Sequence, residues 1–246
     1  MHLLAIFERL KAGDLHEDAA LLALVSGSGD PEIQQAGLAL LGRCASGPVR
    51  MGLVRFFDHP HATTRQQAWE SAGWTGDLRQ VPHLLTAYRA LKASGLFNLD
   101  RESSHVVVHA ISHLLEADAD QFCESAATDT PDEYTAAVLA ATRRVEAACG
   151  DGAAVLEGQP LSLTHVLDRL EQLCREPEPT ELGGTICGYL DLVEAMTGWP
   201  VDGALDHDQV APHVDALLAM ISRFRASGRL AGFIPGRRYF FGHLVT

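Results

Sequence analysis

A helical phrase that returns along the first half of the chain constrains its fold more than any other feature. Gln34-Gln35-Ala36-Gly37, inside an amphipathic pattern opened by Asp30-Pro31-Glu32, comes back as Gln66-Gln67-Ala68-Trp69 after Asp58-His59-Pro60. A looser third copy, Val106 to Leu115, centres on Ala110. From Ala36 to Ala68 is 32 residues and from Ala68 to Ala110 is 42. Helix pairs recurring at such intervals stack into solenoids, because one unit alone cannot bury its apolar face. The expected architecture is therefore all-α, an α-solenoid.

The remaining segments read as helices too. Leu3, Leu4, Phe7 and Leu10 share one face of a first helix, stopped near Gly13. Asp30-Pro31 supplies a cap and a first-turn proline, and Ile33, Ala36, Leu38, Leu40 and Leu41 form the apolar positions that follow. Met51 to Phe57 reads as a short partner helix, Thr63 to Ala72 and Val81 to Leu91 as the next pair, and His105 to Leu115 as the start of a third unit. Helices are also expected from Thr130-Pro131-Asp132-Glu133 to Cys149, over Leu163 to Cys174, over Leu182 to Met196 and over Val210 to Ala226. No two alternating strands flank a hairpin turn, so no sheet is expected. The glycine-bearing stretch Gly150 to Pro160 is either a linker between residues 1–150 and 151–246 or a long loop within one continuous domain. At the C-terminus, Phe233 to His243 gathers four aromatics and two arginines around Pro235-Gly236, a composition suited to an irregular aromatic cap on the helical stack.

Charge and composition narrow the function classes. The net charge is −13, which disfavours nucleic acid as a partner. No apolar run approaches the roughly 20 residues that span a bilayer, and the N-terminus lacks the basic start of a secretory signal. Five cysteines without a CxxC pair argue for reduced thiols in a cytoplasmic protein. The acidity is uneven. Between Glu102 and Thr142 there are eight acids and no Lys or Arg, whereas Ala216 to the C-terminus holds five arginines and no acid. Such a patch either steers a basic protein partner or keeps the chain soluble. Glu116, Asp118, Asp120 and Glu124 are the candidate contact residues, joined by Trp74, which is either an exposed hot-spot ring or core filling.

Signatures of chemistry are sparse. His105, His109 and His113 lie at i, i+4 and i+8 on one helix face. Two of them can share a metal ion, but the eight residues from His105 to His113 span about 12 Å of helix, too far for one ion to bind the first and last. Val106 occupies the position where an HExxH motif needs Glu. The stripe reads first as a polar inner helix face, and a metal-dependent helical hydrolase using His105 and His109 is the remote alternative. Asp206-His207-Asp208 reads as a helix start capped by Asp208, and Gly183-Gly184 lacks the strand and lysine of a phosphate loop. Neither a catalytic residue nor a cofactor or metal ligand is assigned.

The phrase Asp58-His59-Pro60 followed by Thr64-Arg65-Gln66-Gln67-Ala68-Trp69-Glu70-Ser71-Ala72-Gly73 resembles the second helix of a HEAT-like repeat, over about residues 30 to 115. Its short first helices and irregular period depart from a regular superhelix. The ending Gly236-Arg237-Arg238-Tyr239-Phe240-Phe241-Gly242-His243 is similar to endings of bacterial immunity proteins of polymorphic toxin systems. Together these resemblances imply a non-enzymatic, protein-binding helical module that neutralises a cognate toxin by covering its basic substrate channel. The alternative is a HEAT-like scaffold or assembly factor for another cytoplasmic protein.

Overall fold

A computed structural model describes residues 2–95, 97, 101–116, 118–176, 183–199 and 210–246, with backbone alone at 101–103, 119, 183 and 210–212. Among these residues the chain is mostly α-helical, with short 3-10 turns and two small hairpins. It divides into two compact units, Met1–Pro160 with Val245–Thr246, and Leu161–Leu244. Among the described residues no helix is long and apolar enough to cross a membrane.

The first unit runs through α1 (Leu3–Lys11), α2 (Glu17–Gly27), α3 (Pro31–Cys44), α4 (Gly47–Met51) and a 3-10 turn at Gly52–Phe56. It continues through α5 (Ala62–Thr75), α6 (Val81–Ala93), α7 (Arg101–Leu115), α8 (Ala119–Thr128) and α9 (Pro131–Cys149). The three helices that carry the recurring phrase pack in series, α3 on α5 and α5 on α7. Their seams explain why the phrase recurs. Thr64 donates its hydroxyl to Gln34 Oε1 at 3.1 Å, and Gln35 donates to Thr63 Oγ1 at 2.8 Å. Gly42 brings α3 so close that an added Cβ would lie 3.0 Å from Ser71 Cα, and at Gly73 it would lie 2.8 Å from Ala110 Cα. Small residues at these positions let neighbouring backbones touch.

Two helix faces differ from the periodicity reading. In α3 the buried residues are Gln34, Gly37, Leu38, Leu41, Gly42 and Cys44, while Ala36 is exposed. Helix α2 rests on Gly37, where a Cβ would collide with Val25, and the Gln34 amide gains a second partner in the Ser28 carbonyl. A glutamine with both ends satisfied can occupy a seam, which simple apolar counting does not anticipate. In α1 the core positions are Ile6 and Leu10, and Leu4 is 66% exposed. Helix α2 itself, Glu-Asp-Ala-Ala-Leu-Leu-Ala-Leu-Val-Ser-Gly, is apolar almost all round and offers no stripe to read.

Residues 150–160 belong to the first unit and form a hairpin, β1 (Val155–Leu156) on β2 (Gln159–Pro160). No sheet was expected from the sequence because strands of two residues show no alternation. The hairpin satisfies helix ends. Val155 N donates to Gly76 O at the end of α5, while Glu157 N and Gly158 N donate to His113 O and Leu114 O in the last turn of α7. Those carbonyls have no partner within their own helices.

The second unit contains α10 (Leu163–Cys174), α11 (Gly183–Thr197), α12 (Val210–Ala226), a 3-10 turn at Arg229–Gly232 and the hairpin of β3 (Arg238–Phe240) with β4 (His243–Val245), all but its last residue, Val245. Helix α10 packs on α11 and α12, and Arg225 of α12 binds Asp168 at 2.5 Å and also Glu171, both on α10. The aromatic tail is packed: Arg238, Tyr239 and Phe240 are buried. Phe241 N and Gly242 N donate to Ala195 O and Met196 O, covering the end of α11 as the first hairpin covers α7.

Candidate functional site

The chemistry-bearing side chains converge where α8 lies on α7. Asp118 starts α8 as its cap, accepting from Gln121 N at 3.0 Å. An aromatic cluster then sets how α8 sits: Phe122 meets Tyr134 of α9 edge-on at 6.4 Å, Tyr134 lies 4.4 Å from Tyr88 of α6, and the Tyr88 hydroxyl donates to Ala126 O. Burial pushes the Tyr88 phenol up to about 12, with Asp129 adding to it, so it remains a hydrogen-bond donor. With Phe122 and Ala126 buried, Cys123 is carried round toward α7.

The histidine stripe divides in two. The His113 ring lies 4.3 Å from that of Trp74, and burial, reinforced by His109 and opposed by Glu157, pulls its imidazole down to about 4. Neutral His113 and half-buried Trp74 therefore make an interior contact, and this tryptophan is not the freely exposed ring considered above. His105 and His109, with ring centroids 5.7 Å apart, stand beside Cys123 instead. One ligand atom from each of His105, His109 and Cys123 lies within 4.8 Å of the other two. Burial and the neighbouring His105 lower His109, whereas Asp120 raises it. Burial and Asp120 push the Cys123 thiol up to about 11. At neutral pH the trio thus presents a neutral His109 and a protonated thiol, two nitrogen donors and one sulfur, the donor set that suits zinc-like ions.

Glu116, Asp118, Asp120 and Glu124 are all exposed on this same edge. Among the described residues none of the four forms an ion pair, whereas Asp132 pairs with Arg89 and Glu133 completes a capping box with Thr130. Cys123 was missed by sequence reasoning, since a lone cysteine in the helix after a histidine pair matches no spacing motif. The Asp206-His207-Asp208 triplet lies outside the described residues.

A second concavity lies between the 3-10 turn after α4, α5 and α6. It has a volume of about 540 Å³ and is lined by Val54, Phe57, Trp69 and Leu91, with Arg65 and His83 among its polar groups. Trp69 is 1% exposed, its indole N–H has no hydrogen-bond partner among the described residues, and Arg65 lies over its ring at 5.6 Å.

In comparisons with known proteins, no family model, curated protein or solved structure matches the chain.

Proposed function

We propose that this chain is a protein-binding module of HEAT-like helical repeats whose acidic α7–α8 edge engages a basic surface of another protein. Its most concrete form is a cytoplasmic immunity protein that covers the basic substrate channel of a toxin domain. One observation carries the reading: Glu116, Asp118, Asp120 and Glu124 are exposed together and, among the described residues, unneutralised. Uncompensated charge of one sign raises the encounter rate with a partner of opposite sign and imposes orientation on it. The serial packing of α3, α5 and α7 supports the repeat reading.

The test combines Glu116→Lys and Glu124→Lys with Asp118→Asn and Asp120→Asn, the Asp118 substitution retaining a competent cap. Partners captured from the native host with the wild-type chain are re-measured against this variant across a salt series. The expected result is an association rate at least about tenfold slower at low salt, with a flatter salt dependence. An unchanged rate and salt slope would rule out this edge as the contact surface. A secreted toxin encoded next to the gene would favour immunity over a scaffold role.

A further inference from the structure

We infer that His105, His109 and Cys123 form a binding site for a zinc-like divalent ion, held between α7 and α8 with one coordination position left for water or a partner's group. The three side chains come from two helices and bring two imidazole nitrogens and one sulfur together, each ligand atom within 4.8 Å of the other two. Bonds of about 2.0–2.1 Å to nitrogen and 2.3 Å to sulfur place tetrahedral ligands roughly 3.3–3.6 Å apart, so a pair at the 4.8 Å limit has to close by roughly 1.2–1.5 Å. His105 is exposed and Cys123 half-buried, and a change of side-chain torsion at either supplies that movement without disturbing the core.

Donor type selects the ion. Nitrogen and thiolate sulfur suit Zn²⁺ and Co²⁺, whereas Mg²⁺ and Ca²⁺ need oxygen. Binding is balanced by loss of the thiol proton: the Cys123 S–H bond breaks, a sulfur–metal bond forms and the proton passes to solvent. Asp120, one turn before Cys123, influences both His109 and Cys123 electrostatically. A carboxylate near a ligating imidazole is the kind of outer support that such sites commonly carry. His113 takes no part, because its ring is committed to Trp74. Three protein ligands rather than four is the pattern of an open site. Such an ion would also tie α8, whose own buried side chains include only Phe122 and Ala126 among those described, onto α7. This inference does not depend on the protein-binding reading.

The experiment uses the full chain, reduced and stripped with a chelator, then titrated with Zn²⁺ against a chromophoric competitor and separately with Co²⁺. One equivalent should bind, and Co²⁺ should develop a thiolate-to-cobalt charge-transfer absorption. Since loss of an outer-sphere partner alone costs about 10–100-fold in affinity, Cys123→Ser and His109→Ala should each weaken Zn²⁺ by more than about 100-fold. Cys123→Ser should abolish the charge-transfer band, while Cys149→Ser, on α9, should leave both signals intact. His105→Ala, a change at an exposed position that removes no buried side chain, should also weaken binding by at least about tenfold. The inference is overturned by absence of stoichiometric binding in the wild type. It is equally overturned if binding persists at wild-type strength in Cys123→Ser and His105→Ala, since surface acids would then hold the ion.

Discussion

The seam between α5 and α7 can be broken by a single methyl group. At Gly73 an added Cβ would sit 2.8 Å from Ala110 Cα, 3.1 Å from Ala110 O and 3.2 Å from Ala110 Cβ. Two of these three atoms are backbone, so α7 cannot yield by turning a side chain. The two helices must part by about 0.6 Å at that point to restore an ordinary 3.4 Å contact. Overpacking a tight core costs about 1–3 kcal/mol, and the upper half of that range suits a clash against backbone. Alanine is a better helix former than glycine by roughly 1 kcal/mol, which opposes the clash. The net expectation for Gly73→Ala is a loss of about 1–2 kcal/mol, a fall in Tm of roughly 3–6 °C for a unit of this size. Gly27, the last residue of α2, is the control: nothing lies within 4 Å of its would-be Cβ, so Gly27→Ala keeps only the helix gain and is neutral or stabilising by up to about 1 kcal/mol. Urea unfolding followed by tryptophan fluorescence in a Trp199→Phe background reads the first unit, because Trp69 and Trp74 flank the substitution. Gly73→Ala matching or exceeding the wild type would mean that the α5 and α7 backbones do not meet at Ala110.

Two further outcomes are expected. The folded chain holds His113 at about 4, below the ordinary 6.5, so the unfolded chain takes up a proton that the folded chain refuses. The His113 contribution is therefore complete above pH 6.5 and is lost as pH falls from there toward 4, reaching at most about 3 kcal/mol. His109, lowered for the same main reason, acts in the same direction. His113→Gln should flatten the fall of urea midpoint over that window, and an unaltered pH profile would contradict the desolvation of the half-buried His113. At α9, Thr130 accepts from Glu133 N while Glu133 accepts from Thr130 N, so Thr130→Ala should cost about 1 kcal/mol and Thr130→Ser little. Equal urea midpoints for the alanine and serine variants would show that the box contributes nothing.

Much of the helical framework was legible from residues. The Thr130-Pro131 cap located the start of α9, and the spans expected at Leu163 to Cys174 and Val210 to Ala226 match α10 and α12, because caps and helical periodicity act within a few turns. The recurring phrase puts Trp69 in register with Gly37, and both are buried. Periodicity misassigned faces where polar or tiny residues make the seam, as at Gln34 and Gly37, because hydrophobicity does not register a hydrogen-bonded amide or the close approach of a backbone. It passed over α8, a ten-residue helix whose placement depends on Tyr88 and Tyr134 from other helices.

The amino-acid sequence by itself determined the helical class, the recurring phrase, the acidic edge and the one-turn spacing of His105, His109 and His113, all of them consequences of local periodicity and charge. Only the tertiary structure decided that His113 turns inward to Trp74 while His105 and His109 meet Cys123, and that the hairpin at 150–160 closes the ends of α5 and α7. Those pairings join residues of different elements. They depend on which helix lies against which, and that is set by close packing over the whole unit rather than by any segment alone.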